Sequence, residues 1–321
     1  MRLRRVSPAM PGWSRVRHGR GFRYLDEAGE PLPSADVERC RALVIPPAWT
    51  DVWICPIENG HLQAVGTDDA GRRQYLYHPH WRVKRDTEKF VHMEQFARRL
   101  LRQRPVVRRD LSDEPSRAAV SAAAFSLLDL GVFRIGSARY MDDNGSFGLA
   151  TIEKRHVQLD GHRVSFRYDA KSGQQVEVTV RDERVARLLE QLLRRRAGGD
   201  TLLAYREGRH WQNLRAEDVN AYIKATLGDD CSAKDFRTWR ATVIAAHALA
   251  FPSVTIPAAM REVGEHLGNT ATVARNSYVD PRVLDLFEQG ITVVPGNRRI
   301  APGAPVNRTL ERRVLRLLTR S

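Results

Sequence analysis

Lysine and cysteine are both scarce in this chain of 321 residues, which has six lysines against 46 arginines and only three cysteines. Cys40, Cys55 and Cys231 are odd in number, far apart and without a C-x-x-C pair. Neither a disulfide framework nor a zinc site is therefore expected, and a reducing compartment fits best. The sequence also has no Gly-rich loop ending in Gly-Lys-Ser/Thr, no G-x-G-x-x-G and no H-E-x-x-H. Nucleotide-driven and zinc-driven chemistry lose their support with those motifs. Long apolar runs are missing too: Ala241–Phe251 is too short to cross a bilayer and is interrupted by His247, and the amino terminus carries charge without an apolar core of signal-peptide length. The expectation is a cytoplasmic protein with no membrane span.

The chain does have positive charge, a net +14 with a pI near 10.3, and that points to a polyanionic partner. The charge is concentrated at the ends. Residues 1–25 hold seven arginines and no acid, and residues 291–321 hold seven arginines against Glu311 alone, whereas the stretch between has 38 basic and 37 acidic residues. Both ends read as basic arms or strips rather than average surface.

Residues 20–80 contain short runs rich in Val, Ile, Trp and Tyr (Leu43–Ile45, Val52–Cys55, Leu62–Gly66, Gln74–Tyr77) separated by Pro-Pro, Asn-Gly and Asp-Asp-Ala-Gly turns. This pattern predicts a small antiparallel sheet, interrupted by a short helix after Ser34. A long basic helix is expected from about Lys84 to Arg104, with a boundary at 104–115 where two prolines punctuate the chain. Residues 156–180 predict a three-stranded meander with tight turns at Gly161 and at Ala-Lys-Ser-Gly. Helices are expected at 116–130, 182–196, 216–226, 233–250, 257–267, 271–279, 282–289 and, as a docked basic amphipathic helix, 308–320. The fold class is therefore α+β: a β-rich domain over 1–90 and a larger, mainly helical domain over 91–321 that carries the meander.

Four segments hold residues suited to chemistry. Lys171 sits in the meander's second turn, where a side chain projects from the sheet, although polar residues crowd such turns for structural reasons as well. Arg134, in FRIGSARY, follows an apolar approach and must find an anion, by default a structural carboxylate and otherwise a bound phosphate. Ser232 and Asp235 have capping-box spacing at the start of a helix on which Lys234 and Arg237 share a face. In HLGNTATVARNSYVDP, Gly268 ends one helix, Thr270 caps the next, and Tyr278 lies near that helix's end. The acidic pairs Asp68-Asp69 and Asp142-Asp143 read as solvated turns rather than a Mg²⁺ site, because a hard cation needs converging oxygens that neighbours alone rarely supply.

Together, in order and spacing, these segments resemble the type IB DNA topoisomerases of the bacterial and poxviral kind, over most of the chain. Arg134 before Tyr140 matches the family's first catalytic arginine, Ala170-Lys171-Ser172-Gly173 its hairpin lysine, and Lys234-Asp235-Phe236-Arg237-Thr238 its second arginine. Asn269, nine residues before Tyr278, stands where poxviral members carry His, and Gly71-Arg72-Arg73-Gln74-Tyr75-Leu76-Tyr77 matches an amino-terminal element. The resemblance implies catalysis by Arg134, Lys171, Arg237, Asn269 and the nucleophile Tyr278. It implies DNA contacts at Gln74, Tyr75, Tyr77, Arg139, Tyr140 and Lys234. It further implies relaxation of either sign of supercoil through a 3′-phosphotyrosyl intermediate, with no ATP and no required divalent metal, by a nucleoid-associated monomer that clamps double-stranded DNA.

The nearest alternative is a tyrosine recombinase, which shares this chemistry but typically has His-x-x-Arg at the second arginine and a helical amino-terminal domain. A non-catalytic basic DNA-binding protein would explain the charge and leave the ordered set a coincidence.

Overall fold

The second half of the basic amino-terminal stretch is sheet. In the computed structural model, which describes residues 1–137, 141, 145–295, 299–305 and 307–319, and only the backbone of residues 82, 86 and 172, β1 (Trp13–His18) and β2 (Gly21–Leu25) form an antiparallel hairpin. Gly19, with φ +55°, turns it. β1 then pairs with β3 (Thr50–Ile54), β3 with β4 (Leu62–Thr67) and β4 with β5 (Arg73–Tyr77), giving a five-stranded antiparallel sheet in the order β2-β1-β3-β4-β5. Strand alternation sends Arg15 inward, where its guanidinium donates to the carbonyls of Ile45, Pro46 and Trp49, each at 2.8 Å, and lies over the Phe22 ring. A buried cation thus ties the sheet to the loop opposite it.

The expected strand at Leu43–Ile45 does not form. Those residues end α1 (Ser34–Ala42): the Val44 amide caps the helix on Arg41 O, Val44 takes φ +49°, and Ile45 turns into the core beside Tyr24, Cys40, Val52, Ile54 and Ala64. Their apolar character serves packing, not pairing.

The long helix α2 runs from Pro79 to Asp110, so it starts before Lys84 and continues past Arg104 through Pro105. Pro79 costs nothing in a first turn, but Pro105 removes an internal hydrogen bond. Burial of Leu100 and Val107 and the Arg104–Asp129 ion pair hold the helix across that gap. The expected boundary at 104–115 is therefore helical for most of its length. The chain divides into two units, Met1–Phe90 and Val91–Ser321.

In the second unit α3 (Arg117–Leu128) is capped by Ser116 and nearly all buried. The meander follows as β6 (Val157–Asp160), β7 (Arg163–Ala170) and β8 (Gln174–Arg181), with a short 3₁₀ turn over Lys171–Gly173. Then come α4 (Glu183–Arg194), an unanticipated hairpin of β9 (Ala204–Glu207) and β10 (His210–Asn213), and α5 (Ala216–Leu227). α6 (Ala233–Ala248) is the buried centre of this unit, with Phe236 meeting Phe96 and Phe125 edge-on at 5.1 and 4.8 Å. α7 (Ile256–Leu267), α8 (Ala271–Ser277), α9 (Pro281–Glu288) and α10 (Arg308–Leu318) complete it.

The architecture is α+β, as expected. No helix among the described residues is long and apolar enough to cross a membrane.

Candidate active site

Arg134 is presented by a glycine-dependent crossing. The Arg134 and Ile135 carbonyls accept from Leu149 N and Ala150 N at 2.8 Å, and Gly136 (φ +73°) passes so close to Gly148 that a Cβ on it would lie 2.7 Å from the Gly148 Cα. Only a residue without a side chain fits there, which is why Arg-Ile-Gly is the workable sequence. The Arg134 guanidinium is half-buried, and its Nη2 donates to Gly268 O and Asn269 Oδ1, both at 2.8 Å. The structural carboxylate expected for it is not found among the described residues. Among the described residues its acceptors are neutral, which leaves its charge for another anion.

Arg237 is placed by α6, whose start is fixed by the predicted capping box: Asp235 Oδ2 accepts from Ser232 N at 2.7 Å and from Ser232 Oγ at 2.9 Å. Only 3% exposed, Arg237 donates to the carbonyls of Gly131, Val132 and Leu267 at 3.2, 3.0 and 2.6 Å. Leu267 O is available because α7 ends there, with Gly268 in the left-handed conformation at φ +58°. One helix terminus thus supplies acceptors to both arginines.

Tyr278 is half-buried at the end of α8, which Thr270 starts by accepting from Val273 N at 3.2 Å. The segment that follows it is tied to α6 through Thr242 Oγ1, which donates to Thr238 O of its own helix at 3.0 Å and accepts from Asp280 N at 3.1 Å. The Arg237 guanidinium carbon lies 5.3 Å from the centre of the Tyr278 ring. Burial pushes the phenol up. The charge and hydrogen bonding of Arg237, with the charges of Arg134 and Lys234, outweigh it and hold the group below its ordinary 10.0. Burial, and then repulsion from Arg134, bring Arg237 down to about 10, so it stays cationic at neutral pH.

Lys171 is exposed at its turn, and the two ends of that hairpin reach the same cluster. On one side Tyr168 is pushed up to about 12 by burial, against the lowering charges of Arg134 and Arg237. On the other, Gln174 Oε1 lies 3.2 Å from where a Cβ on Gly268 would be. The structure brings Arg134, Arg237, Asn269 and Tyr278 together, and places Lys171 on the turn between two residues beside them. Sequence reasoning missed Tyr168, Thr242 and Gln174. The available signal was Gln174's place directly after the Lys171 turn, at the start of a strand.

Among the other residues singled out in the sequence, Lys234 is exposed on the first turn of α6. Tyr75 and Tyr77 share a face of β5, 47% and 36% exposed, with ring centres 6.3 Å apart and planes 17° from parallel. Gln74 donates to Asp68 Oδ2 at 2.8 Å. Asp68 also accepts from the Ala70 and Arg72 amides and pairs with the Arg72 guanidinium, whose hydrogen bond leads in holding its carboxyl down at about 2. That carboxylate fastens a turn, as expected. Arg139, Tyr140 and the pair Asp142-Asp143 lie outside the described residues.

His92, Asp230 and Cys231 bring potential metal-ligand atoms within 4.8 Å of one another. Arg99 Nη1 already sits 2.5 Å from Asp230 and 3.8 Å from the Cys231 sulfur, so a guanidinium stands where a cation would have to approach. The group is an ion-pair cluster at the entry to α6.

Residues 78–285 match the family described as eukaryotic DNA topoisomerase I, catalytic core, and residues 21–68 the family described as bacterial DNA topoisomerase IB, N-terminal domain. The chain is 27% identical over 298 residues to DNA topoisomerase 1B of Acanthamoeba polyphaga mimivirus, covering 87% of this chain and 88% of that one. It is 22% identical over 238 residues to DNA topoisomerase 1B of vaccinia virus (strain Copenhagen), covering 70% and 72%, with the same figures for DNA topoisomerase I of monkeypox virus. With the catalytic-core match spanning well over half of its length, the chain belongs to the type IB DNA topoisomerases, a family of isomerases.

Proposed function

We propose that the protein relaxes positive and negative supercoils in double-stranded DNA by cutting one strand transiently, with Tyr278 as nucleophile. The Tyr278 oxygen attacks a backbone phosphorus and its proton is lost. The bond to the 5′-oxygen breaks, that oxygen is protonated by Lys171, and the 3′ end stays on the enzyme as a phosphotyrosyl ester. The free 5′ end swivels, then attacks the ester and restores the strand. Ester is exchanged for ester, so no ATP is consumed.

The observation that carries this reading is the pair of guanidiniums, Arg134 and Arg237, beside one tyrosine and bound only to neutral oxygens among the described residues. In-line displacement loads negative charge onto the non-bridging phosphate oxygens, and preorganised arginines stabilise it in the way a metal ion otherwise would. Asn269 adds a neutral hydrogen bond and cannot transfer a proton. A positioned lysine acid is worth roughly 10²–10⁴ in rate. Tyr75 and Tyr77 offer stacked aromatic surface for DNA in the first unit, and Gln74 a polar contact beside them. Arg139, Tyr140 and Lys234 are assigned to DNA contact on the resemblance alone. A nucleoid-associated monomer closing both units on one duplex completes the proposal.

The test is relaxation of supercoiled plasmid with EDTA present and without ATP. Strict dependence on ATP or on a divalent metal would overturn the mechanism. An SDS-trapped covalent adduct that persists in Tyr278→Phe would reassign the nucleophile.

A further inference from the structure

Three buried polar side-chain atoms at the site have no hydrogen-bond partner among the described residues: Arg237 Nε, on a guanidinium already assigned to the phosphate, the Gln174 side-chain oxygen and the Asn269 side-chain nitrogen. Leaving a buried acceptor unmade costs about 1–3 kcal/mol, so each such atom calls for a reason. For Asn269 the reason is at hand, since its nitrogen is the hydrogen-bond donor assigned to the phosphate. Gln174 has no assigned role.

Its position supplies one. Gln174 begins β8 directly after the Lys171 turn and pairs in register with Ala170, so its backbone is fixed by the hairpin. A single point beside Gly268, where a Cβ would be, lies 3.2 Å from Gln174 Oε1 and 4.0 Å from Arg134 Nη1. Arg134 Nη2 has already given its two protons to Gly268 and Asn269, while Nη1 makes no hydrogen bond among the described residues. Among the described residues, an acceptor lacking a donor and a donor lacking an acceptor thus face one small space.

We propose that Gln174 is a positioning residue for Arg134: when DNA is bound, its side-chain carbonyl accepts from Arg134 Nη1 and locks the plane of the guanidinium. Of the five N–H groups of an arginine, three are then held by the protein and two remain for the phosphate. Without Gln174, the guanidinium is fastened at one nitrogen only and can swing about it. The role rests on Arg134 being a phosphate-binding arginine, as read above.

The experiment is single-turnover cleavage by Gln174→Leu on an ordinary phosphodiester and on duplexes in which methyl replaces either non-bridging oxygen of the scissile phosphate. Arg134→Ala is run in parallel. Non-covalent DNA affinity and thermal unfolding are checked to be near wild type, and Gln174→Ser repeats the series if Leu disturbs the hairpin. The expected result is a slowing of about 10- to 100-fold on the phosphodiester, the size of one hydrogen bond to a charged group. That penalty should largely disappear on the same methyl diastereomer that relieves Arg134→Ala, because the oxygen served by the guanidinium is gone. Wild-type cleavage by Gln174→Leu, or a penalty that persists on that diastereomer while Arg134→Ala is relieved, would overturn the role. If neither diastereomer relieves Arg134→Ala, the assignment of Arg134 fails instead, and the role of Gln174 with it.

Discussion

The Arg237 guanidinium lies 5.3 Å from the Tyr278 ring and is held by three backbone carbonyls rather than by a carboxylate. A carboxylate would have cancelled the charge that the tyrosine experiences and that a phosphate would meet. Carbonyls bind its two terminal nitrogens, keep the geometry and leave the charge in place.

Tyr278 should therefore titrate below the ordinary tyrosine value. The check is a difference titration of phenolate absorbance between the wild type and Tyr278→Phe. Repeating it in an Arg237→Gln background should move the same phenol upward, because burial remains when the largest opposing cation is removed. A phenol that does not move would mean that Arg237 is not what holds it down.

Replacing Gly136 by Ala should unseat Arg134. The backbone there has φ +73° and a methyl group would lie 2.7 Å from the Gly148 Cα. We expect a loss of at least ~1 kcal/mol of stability from the backbone alone, and more from the clash. Strand cleavage should fall at least tenfold under conditions where the variant is still folded. Thermal unfolding and single-turnover cleavage measured side by side separate the two effects.

Glu311, the one acid of the carboxy-terminal basic stretch, is buried at 2% exposure on α10. It accepts from Trp239 Nε1 of α6 at 3.0 Å and from both terminal nitrogens of Arg104, which is also clamped by Asp129. Glu311→Leu leaves that arginine underpaired in the core and should cost about 3–5 kcal/mol in urea unfolding. Glu311→Gln keeps an oxygen for Trp239 and should cost less. Equal, negligible losses would show that the network is not needed to dock α10.

His266 is buried in α7, one residue before the carbonyl that Arg237 uses. Burial first, and then the charge of Arg240, hold it down at about 4 against an ordinary 6.5. Between those values the unfolded chain binds a proton that the folded chain refuses. Stability should then be full above pH 6.5 and fall as the pH drops toward 4, by about 3 kcal/mol from this group. His266→Gln should flatten that part of the stability profile, and an unchanged acid slope would assign it to other groups.

Much of this was legible in local sequence, because turns and caps are decided by neighbours. Ser116, Ser232 with Asp235, Thr270 and Gly268 all mark helix ends where the structure has them, and the meander's alternation put Lys171 at a turn. Where long-range packing decided, local reading failed. Leu43–Ile45 is apolar enough for a strand but ends a helix, and Pro105 should have stopped α2 but is carried through by burial and an ion pair. Alternation in Trp13–His18 was there to be read, yet the charge of that stretch suggested an arm, and only the carbonyls facing Arg15 made a buried arginine acceptable.

By itself the sequence determined the sign of its own charge, the α+β class, and the order of the groups to which the proposal assigns the chemistry. Tertiary structure decided how those groups are electrically presented. Whether Arg134 and Arg237 meet carboxylates or carbonyls, and whether Glu311 is solvated or buried, depends on which distant backbone ends arrive beside them. An α-helix terminus with unspent carbonyls, the end of α7 at Leu267 and Gly268, is a product of the fold, and no spacing along the chain could have shown that two arginines from different segments would share it.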